Sequence, residues 1–193
     1  MDVVFITRSL TAEMILENYP KGFFPMSNSG PRGPITWHCP PHRAVIPLDR
    51  FHISRSLERT LKQARFTVTF DQDFEAVMEA CADRPEEGGT WIDARIKNAF
   101  AELHRLGHAH SVEVWADGAL AGGLYGVEIG RVFCAESKFH RVRDMSKVAL
   151  AQLALRLRGR GFTHIDVQYF TPHLAQFGAI EIPHREYVKL LAA

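Results

Sequence analysis

The sequence predicts an α+β fold: a mixed, mostly antiparallel sheet flanked by helices, preceded by a small N-terminal α/β unit. Two observations carry this expectation. Mid-chain apolar runs flank Asp117-Gly118, a dipeptide suited to the tight turn that joins antiparallel neighbours, and a further strand follows Ile129-Gly130. On either side lie segments whose apolar residues recur at helical spacing. A composition change near Cys39–Pro41 divides the chain into residues 1–40 and 41–193.

The elements follow in order. Ser9 or Thr11 caps a first helix, with Leu10, Met14 and Ile15 as its apolar stripe and Pro20 and Gly22 stopping it near Tyr19. Residues 21–34, rich in Pro, Gly, Ser and Asn, read as loop. "ITW" and "RAVIPL" are short strands, and a helix runs from Ser54 to about Gln63. "FTVTF" places Phe66, Val68 and Phe70 on one face of a strand. "FEAVMEACA" and "ARIKNAFAELHRLG" are helical, the second closed by Gly107. "HSVEVW", "ALAGGLYGVEI" and "RVFCAESKF" form the central strands, and a helix spans about 145–157. The strand "FTHIDVQYF" (162–170), a short helix and a C-terminal helix complete the chain.

At 46% hydrophobic and 23% charged, with a net charge of +1, the chain has the composition of a folded soluble protein. No apolar run is long enough to span a membrane, and the N-terminus lacks the basic region of a secretory signal. Three scattered cysteines (Cys39, Cys81, Cys134) fit a reducing cytoplasm better than a disulfide framework.

Several groupings could carry chemistry. Asp166 and Gln168 share a strand face with His164, inside a run otherwise suited to burial. Burying a carboxylate requires compensation. Glu136 is placed similarly in "FCAESKF", so the three could converge in one pocket; equally, each acid could cap a helix or pair with an arginine. Arg55, Arg59 and Lys62 fall on one helical face, suited either to an RNA backbone or simply to solvent, with Glu58 pairing Lys62. Phe23, Phe24 and Trp91 are loop rings that could stack on bases or plug a core. His104, His108 and His110 complete no metal template, and "WHCPPH" offers no convincing nucleophile and base.

Taken together, "KGFFPM", "WHCPPHRAV", "HISRS", "EEGGTWI", "LHRLGHAHSVEVW", "GGLYGVEIGRVFCAESKF", "SKVAL", "DVQ" and "GAIEIPHREY" resemble, in order, the bacterial leucyl/phenylalanyl-tRNA–protein transferases. The resemblance implies a GNAT-like main domain and an aminoacyltransferase that moves Leu or Phe from aminoacyl-tRNA to an N-terminal Arg or Lys, tagging the acceptor for degradation. It implies catalytic roles for Asp166, Gln168 and Glu136, and tRNA contacts at Arg55, Arg59, Lys62, Trp91 and Met26. It implies an aminoacyl pocket at Leu124, Phe133, Lys138, Leu150, Leu153 and Ile165. No metal or other cofactor is implied, and the expected state is a cytoplasmic monomer.

Met26 stands where the family usually has Trp, Lys138 where it usually has an apolar residue, and Leu153 where it usually has Phe. The N-terminal unit is expected to be shorter than in the family. These departures motivate two alternatives: transfer of Met or another residue because of Lys138, and a non-catalytic tRNA- or peptide-binding relative. An acyl-CoA acetyltransferase is a further alternative, because "RLRGRG" (156–161) matches the R-x-x-G-x-G string of that class. A helix precedes that string and a strand follows it, the reverse of the order needed to cradle pyrophosphate, so its glycines are expected to end a helix.

Overall fold

The protein is described by a computed structural model covering residues 2–27, 33–63, 65–83 and 90–192. The N-terminal part comprises β1 (Val3–Thr7), α1 (Ala12–Asn18), β2 (Phe24–Met26) and β3 (Ile35–His38), with strand order β1-β3-β2, all antiparallel. Thr11 caps α1 by accepting from the Met14 N–H. A 3-10 turn, Tyr19–Lys21, follows and ends at Gly22, whose φ of 84° is natural for glycine.

The main sheet is built from β4 (His42–Pro47), β5 (Thr67–Phe70), β6 (Ala109–Ala116), β7 (Ala119–Ile129), β8 (Val132–His140), β9 (His164–Gln168) and β10 (Ile180–Pro183). Its order is β10-β4-β9-β8-β7-β6-β5, antiparallel everywhere except between β8 and β9. The helices are α2 (Arg55–Lys62), α3 (Phe74–Ala82), α4 (Ala94–Arg105), α5 (Met145–Gly159), α6 (Pro172–Ala175) and α7 (His184–Leu191). The α+β class and the mixed, mostly antiparallel sheet are therefore as expected.

Three strands are additional to the sequence reading. β2 lies in the segment read as loop for its Pro, Gly, Ser and Asn content, and its Pro25 cannot donate to a ladder. It is tolerated because β2 is an edge strand. β1 and β10, five and four residues long, also gain their identity from pairing, with β3 and β4 respectively. The glycines of "RLRGRG" do end a helix: α5 stops at Gly159 and Gly161 has φ 80°.

Two apolar clusters cover opposite faces of the main sheet. One joins α3 and α4 to the small sheet through Trp37, Phe100, Tyr125 and Tyr187; the other packs α5 and α2 through Leu57, Phe133, Leu153 and Ile165. The β8–α5–β9 crossover makes the parallel pair. That pair is short: Val132↔His164, Phe133↔Ile165 and Cys134↔Asp166, after which β8 runs on to His140 without β9.

The β7–β8 ladder is interrupted at the same level. Tyr125 pairs Ser137 and Gly126 pairs Ala135, leaving Glu136 as the extra residue of a bulge, a device that re-aims a side chain. Gly126 permits the local packing, because a Cβ there would collide with the Cys134 carbonyl oxygen and the Phe133 ring. The expected outcome for Gly126→Ala is a loss of about 1–3 kcal/mol of stability, measured by urea denaturation. An unchanged midpoint would mean the bulge relaxes freely.

Candidate active site

Asp166 is wholly buried on β9, and its carboxylate accepts four hydrogen bonds. Arg43, from β4, donates from Nε to Oδ1 (2.9 Å) and from Nη2 to Oδ2 (2.8 Å), a bidentate fork. The Tyr187 hydroxyl of α7 donates to Oδ2 (2.7 Å), and the Gln168 backbone N–H donates to Oδ1 (2.9 Å). Arg43 is itself 1% exposed, with its guanidinium 4.5 Å from the Phe24 ring centroid and 4.7 Å from that of Tyr187. Burial alone would push that guanidinium down, but the Asp166 charge and hydrogen bonds hold it well above its ordinary value, permanently charged.

The pair fixes Gln168. Its φ is 58°, a left-handed conformation that costs a non-glycine residue about 1–2 kcal/mol. The N–H bond to Asp166 holds it there. The side chain is 8% exposed, and its Nε2 finds no hydrogen-bond partner among the described residues.

Where β8 and β9 part, a cavity of about 1010 Å³ opens. Glu136, Ser137 and Lys138 line it from β8, Val167 and Gln168 from β9, Leu150 from α5, and Trp91 closes another side. Glu136 Oε1 is buried and unpartnered among the described residues. Burial, reinforced by the Asp166 charge, pushes its carboxyl up to about 8, against the opposing pull of Tyr19 and Arg43.

Of the residues singled out from sequence, Glu136, Gln168, Trp91, Leu124, Lys138 and Leu150 line this cavity together. Asp166 lies behind Gln168, engaged with Arg43 and Tyr187. Phe133, Leu153 and Ile165 do not line the cavity; they belong to the apolar cluster against α5, with Leu124 and Leu150. Ile165 alternates away from Asp166, as strand geometry requires. Met26 is half-buried on β2, one residue before Ser27, whose N–H donates to the Trp91 carbonyl (3.2 Å). The edge of the small sheet thus holds Trp91 near Met26. Arg55 and Arg59 project from α2 into solvent, whereas Lys62 pairs with Glu58 at 2.8 Å.

Other candidates resolve into structural roles. Phe24 is buried beneath Arg43 and is not a free loop ring. His110 bonds Asp71 at 2.9 Å, and that bond raises it above its ordinary value. Cys39 lies 3.4 Å from His184 Nδ1, but burial raises its thiol, opposing thiolate formation. Among the described residues no cluster of three or more His, Cys, Asp or Glu could hold a metal ion. None of their helices is long and apolar enough to cross a membrane.

The leucyl/phenylalanyl-tRNA protein transferase family model matches residues 45–192, and that family's N-terminal domain matches residues 8–41. This chain belongs to that family. A leucyl/phenylalanyl-tRNA–protein transferase of Novosphingobium aromaticivorans is 50% identical over 185 residues, covering 95% of this chain and 70% of the relative. Another, of Rhodopseudomonas palustris, is 49% identical over 183 residues, covering 94% and 81%. Among solved structures the crystal structure of FemX is similar in fold, with a TM-score of 0.55 at 11% identity over 94% of this chain and 71% of that one. The chain is thus a transferase on a GNAT-like fold, as its sequence resemblance implied.

Sequence reasoning about this transferase overlooked Arg43, Tyr187 and Tyr19. An arginine opening the apolar run "RAVIPL" was the available signal, because a buried cation calls for a buried acid. Replacing it should expose that dependence. Arg43→Met should cost about 3–5 kcal/mol in chemical denaturation by stranding the Asp166 charge. Tyr187→Phe should cost about 1.5–3 kcal/mol, one hydrogen bond to a charged group. Equal small losses for both would mean that Asp166 does not depend on its cation.

Proposed function

We propose that this transferase moves Leu or Phe from aminoacyl-tRNA to the α-amine of an N-terminal Arg or Lys, marking the acceptor for degradation. In this reading it acts in the cytoplasm as a monomer, residues 1–40 form a unit that helps hold the tRNA end, and residues 41–193 perform the transfer. The observation that carries the reading is that the unpartnered Gln168 amide and Glu136 line one cavity large enough for an aminoacyl-adenosine end.

Aminolysis of an ester is downhill, so the enzyme mainly aligns the amine and manages protons. Gln168 Nε2 is a donor and not a base at neutral pH; it would hold the ester carbonyl and the oxyanion that forms from it. Asp166, occupied by four donors, acts by fixing Gln168. Trp91 would stack on the terminal adenine with Met26 nearby, and Arg55 and Arg59, with Lys62, would contact the tRNA backbone.

Leu124 and Leu150 supply apolar lining for the aminoacyl side chain, over Phe133, Leu153 and Ile165. Lys138 favours a second reading in which the donor is Met or another residue, because it brings a cation to this lining.

The test is incubation with a panel of charged tRNAs and an N-terminal Arg peptide, followed by mass spectrometry. A gain of one Leu or Phe residue is expected; gain of another residue would establish the second reading, and no gain with any donor would overturn transfer. For tRNA binding, Arg55→Ala and Arg59→Ala should each weaken affinity and reduce the slope of log K against log salt by about 1. Lys62→Ala should have less effect, given its pairing to Glu58.

A further inference from the structure

Three buried polar atoms of the bulge, its neighbour Tyr19 and the cavity lack hydrogen-bond partners among the described residues: Tyr19 Oη, Glu136 Oε1 and Gln168 Nε2. Tyr19 is 1% exposed and comes from the N-terminal unit, held by the 3-10 turn after α1. Burial raises its hydroxyl well above the ordinary value, and the neighbouring Glu136 charge raises it further. Tyr19 therefore remains a hydroxyl beside Glu136, a cavity carboxyl that forms no ion pair among the described residues. Asp166 has four donors of its own, and Asp144 is paired to Lys147 at 2.8 Å.

We infer that Glu136 is the group that takes a proton from the acceptor's α-ammonium, and that Tyr19 is the positioning residue that steadies its carboxylate. This rests on the transfer reaction proposed above and assigns a base within it. In the first step an N–H bond of the α-ammonium breaks, its electron pair stays on nitrogen, and the proton passes to the Glu136 carboxylate. The freed pair attacks the ester carbonyl carbon. As the tetrahedral intermediate collapses, the C–O bond to the ribose breaks, the second nitrogen proton passes to the leaving ribose oxygen, and Glu136 releases its proton to water. The reaction neither consumes nor supplies electrons.

Acidity supports this geometry. Burial, then the Asp166 charge, brings Glu136 to about 8. An N-terminal α-ammonium titrates at about 7.7–8.0, so the transfer is close to isoenergetic where both titrate. The groups that bear on Glu136 are Asp166 on β9, which raises it, and Tyr19 and Arg43, which lower it. Cys134, its neighbour on β8, is buried and remains a thiol. Asp83, Lys138 and His173 share the cavity with Glu136.

The test is single-turnover transfer across pH with wild type, Glu136→Gln and Tyr19→Phe, confirming by thermal melting that each variant is folded. Two acceptors are compared: an N-terminal Arg peptide, and the same peptide with an α-hydrazino Arg, whose nucleophile is already neutral at neutral pH. Near pH 7, Glu136→Gln should lose about 5–10-fold with the ordinary peptide, the factor by which an α-ammonium titrating at about 7.7–8.0 exceeds its free amine there. The deficit should shrink above about pH 9, where the amine is free without a base, and should largely vanish with the hydrazino peptide. Tyr19→Phe should move the rising limb to higher pH, because removing its hydroxyl leaves Glu136 harder to ionise. A Glu136→Gln loss that is uniform across pH and equal for both acceptors would overturn the proposal, leaving Glu136 a binding or structural group, while transfer itself still stood. Absence of product from wild type would instead sink the transfer reading and this base with it.

Discussion

The site depends on a single buried ion pair. Arg43 and Asp166 come from strands paired side by side, β4 and β9, and meet bidentately with almost no solvent contact. Such a pair is weak evidence for stability, because desolvating both charges offsets much of their attraction. Its value here is geometric. The fork fixes the Asp166 plane, Tyr187 fixes it from α7, and the remaining lone-pair position holds the Gln168 N–H in a left-handed conformation. The guanidinium is confined between Phe24 of the small sheet and Tyr187 of the C-terminal helix, and donates to the Gly22 carbonyl. Segments distant in sequence are thereby locked to one strand end.

The opening of the sheet follows from the same place. β8 and β9 stay paired only as far as Cys134 and Asp166. Beyond that level Gln168 continues against β4, while the bulge at Glu136 lets β8 continue against β7. Two strands that no longer bond each other leave backbone and side chains able to face a ligand. α5 borders that opening through Ser146, Lys147 and Leu150, and Gly122 lets β7 approach its first turn, where a Cβ would lie 2.6 Å from Met145 Cβ.

Much of this was legible in the sequence, and the boundary has physical causes. The hairpin dipeptides and helical periodicities marked the central strands and most helices because those signals are local. Asp166, Gln168 and Glu136 stood out because polar residues in apolar strands require a reason. The short strands β1, β2 and β10 carry no strong local signal; Pro25 argues against one, and only an edge position tolerates it. Arg43 could not be paired with Asp166 from sequence because 123 residues separate them. The core positions of Phe133, Leu153 and Ile165 depend on which sheet face α5 covers, which strand alternation alone does not decide. Lys138, by contrast, shares the cavity with Leu124, its direct cross-strand partner on β7.

Two carboxyl groups on neighbouring strands, Asp166 wholly buried and Glu136 half-buried with its Oε1 shielded, would compete for the same compensation. Here they divide it. Asp166 takes the cation, the phenol and the backbone N–H, whereas Glu136 forms no ion pair among the described residues and feels the Asp166 repulsion more than the Arg43 attraction. Environments that separate two acids in this way assign them different work. A carboxylate held by four donors is fixed in orientation, which suits it to anchor the strand end that carries Gln168. A carboxyl that is desolvated, unpaired and open to the cavity gains from any proton that neutralises it. The burial that makes Glu136 costly to keep charged is therefore the property that suits it to receive a proton, and the fixed charge of Asp166 helps set where that exchange occurs.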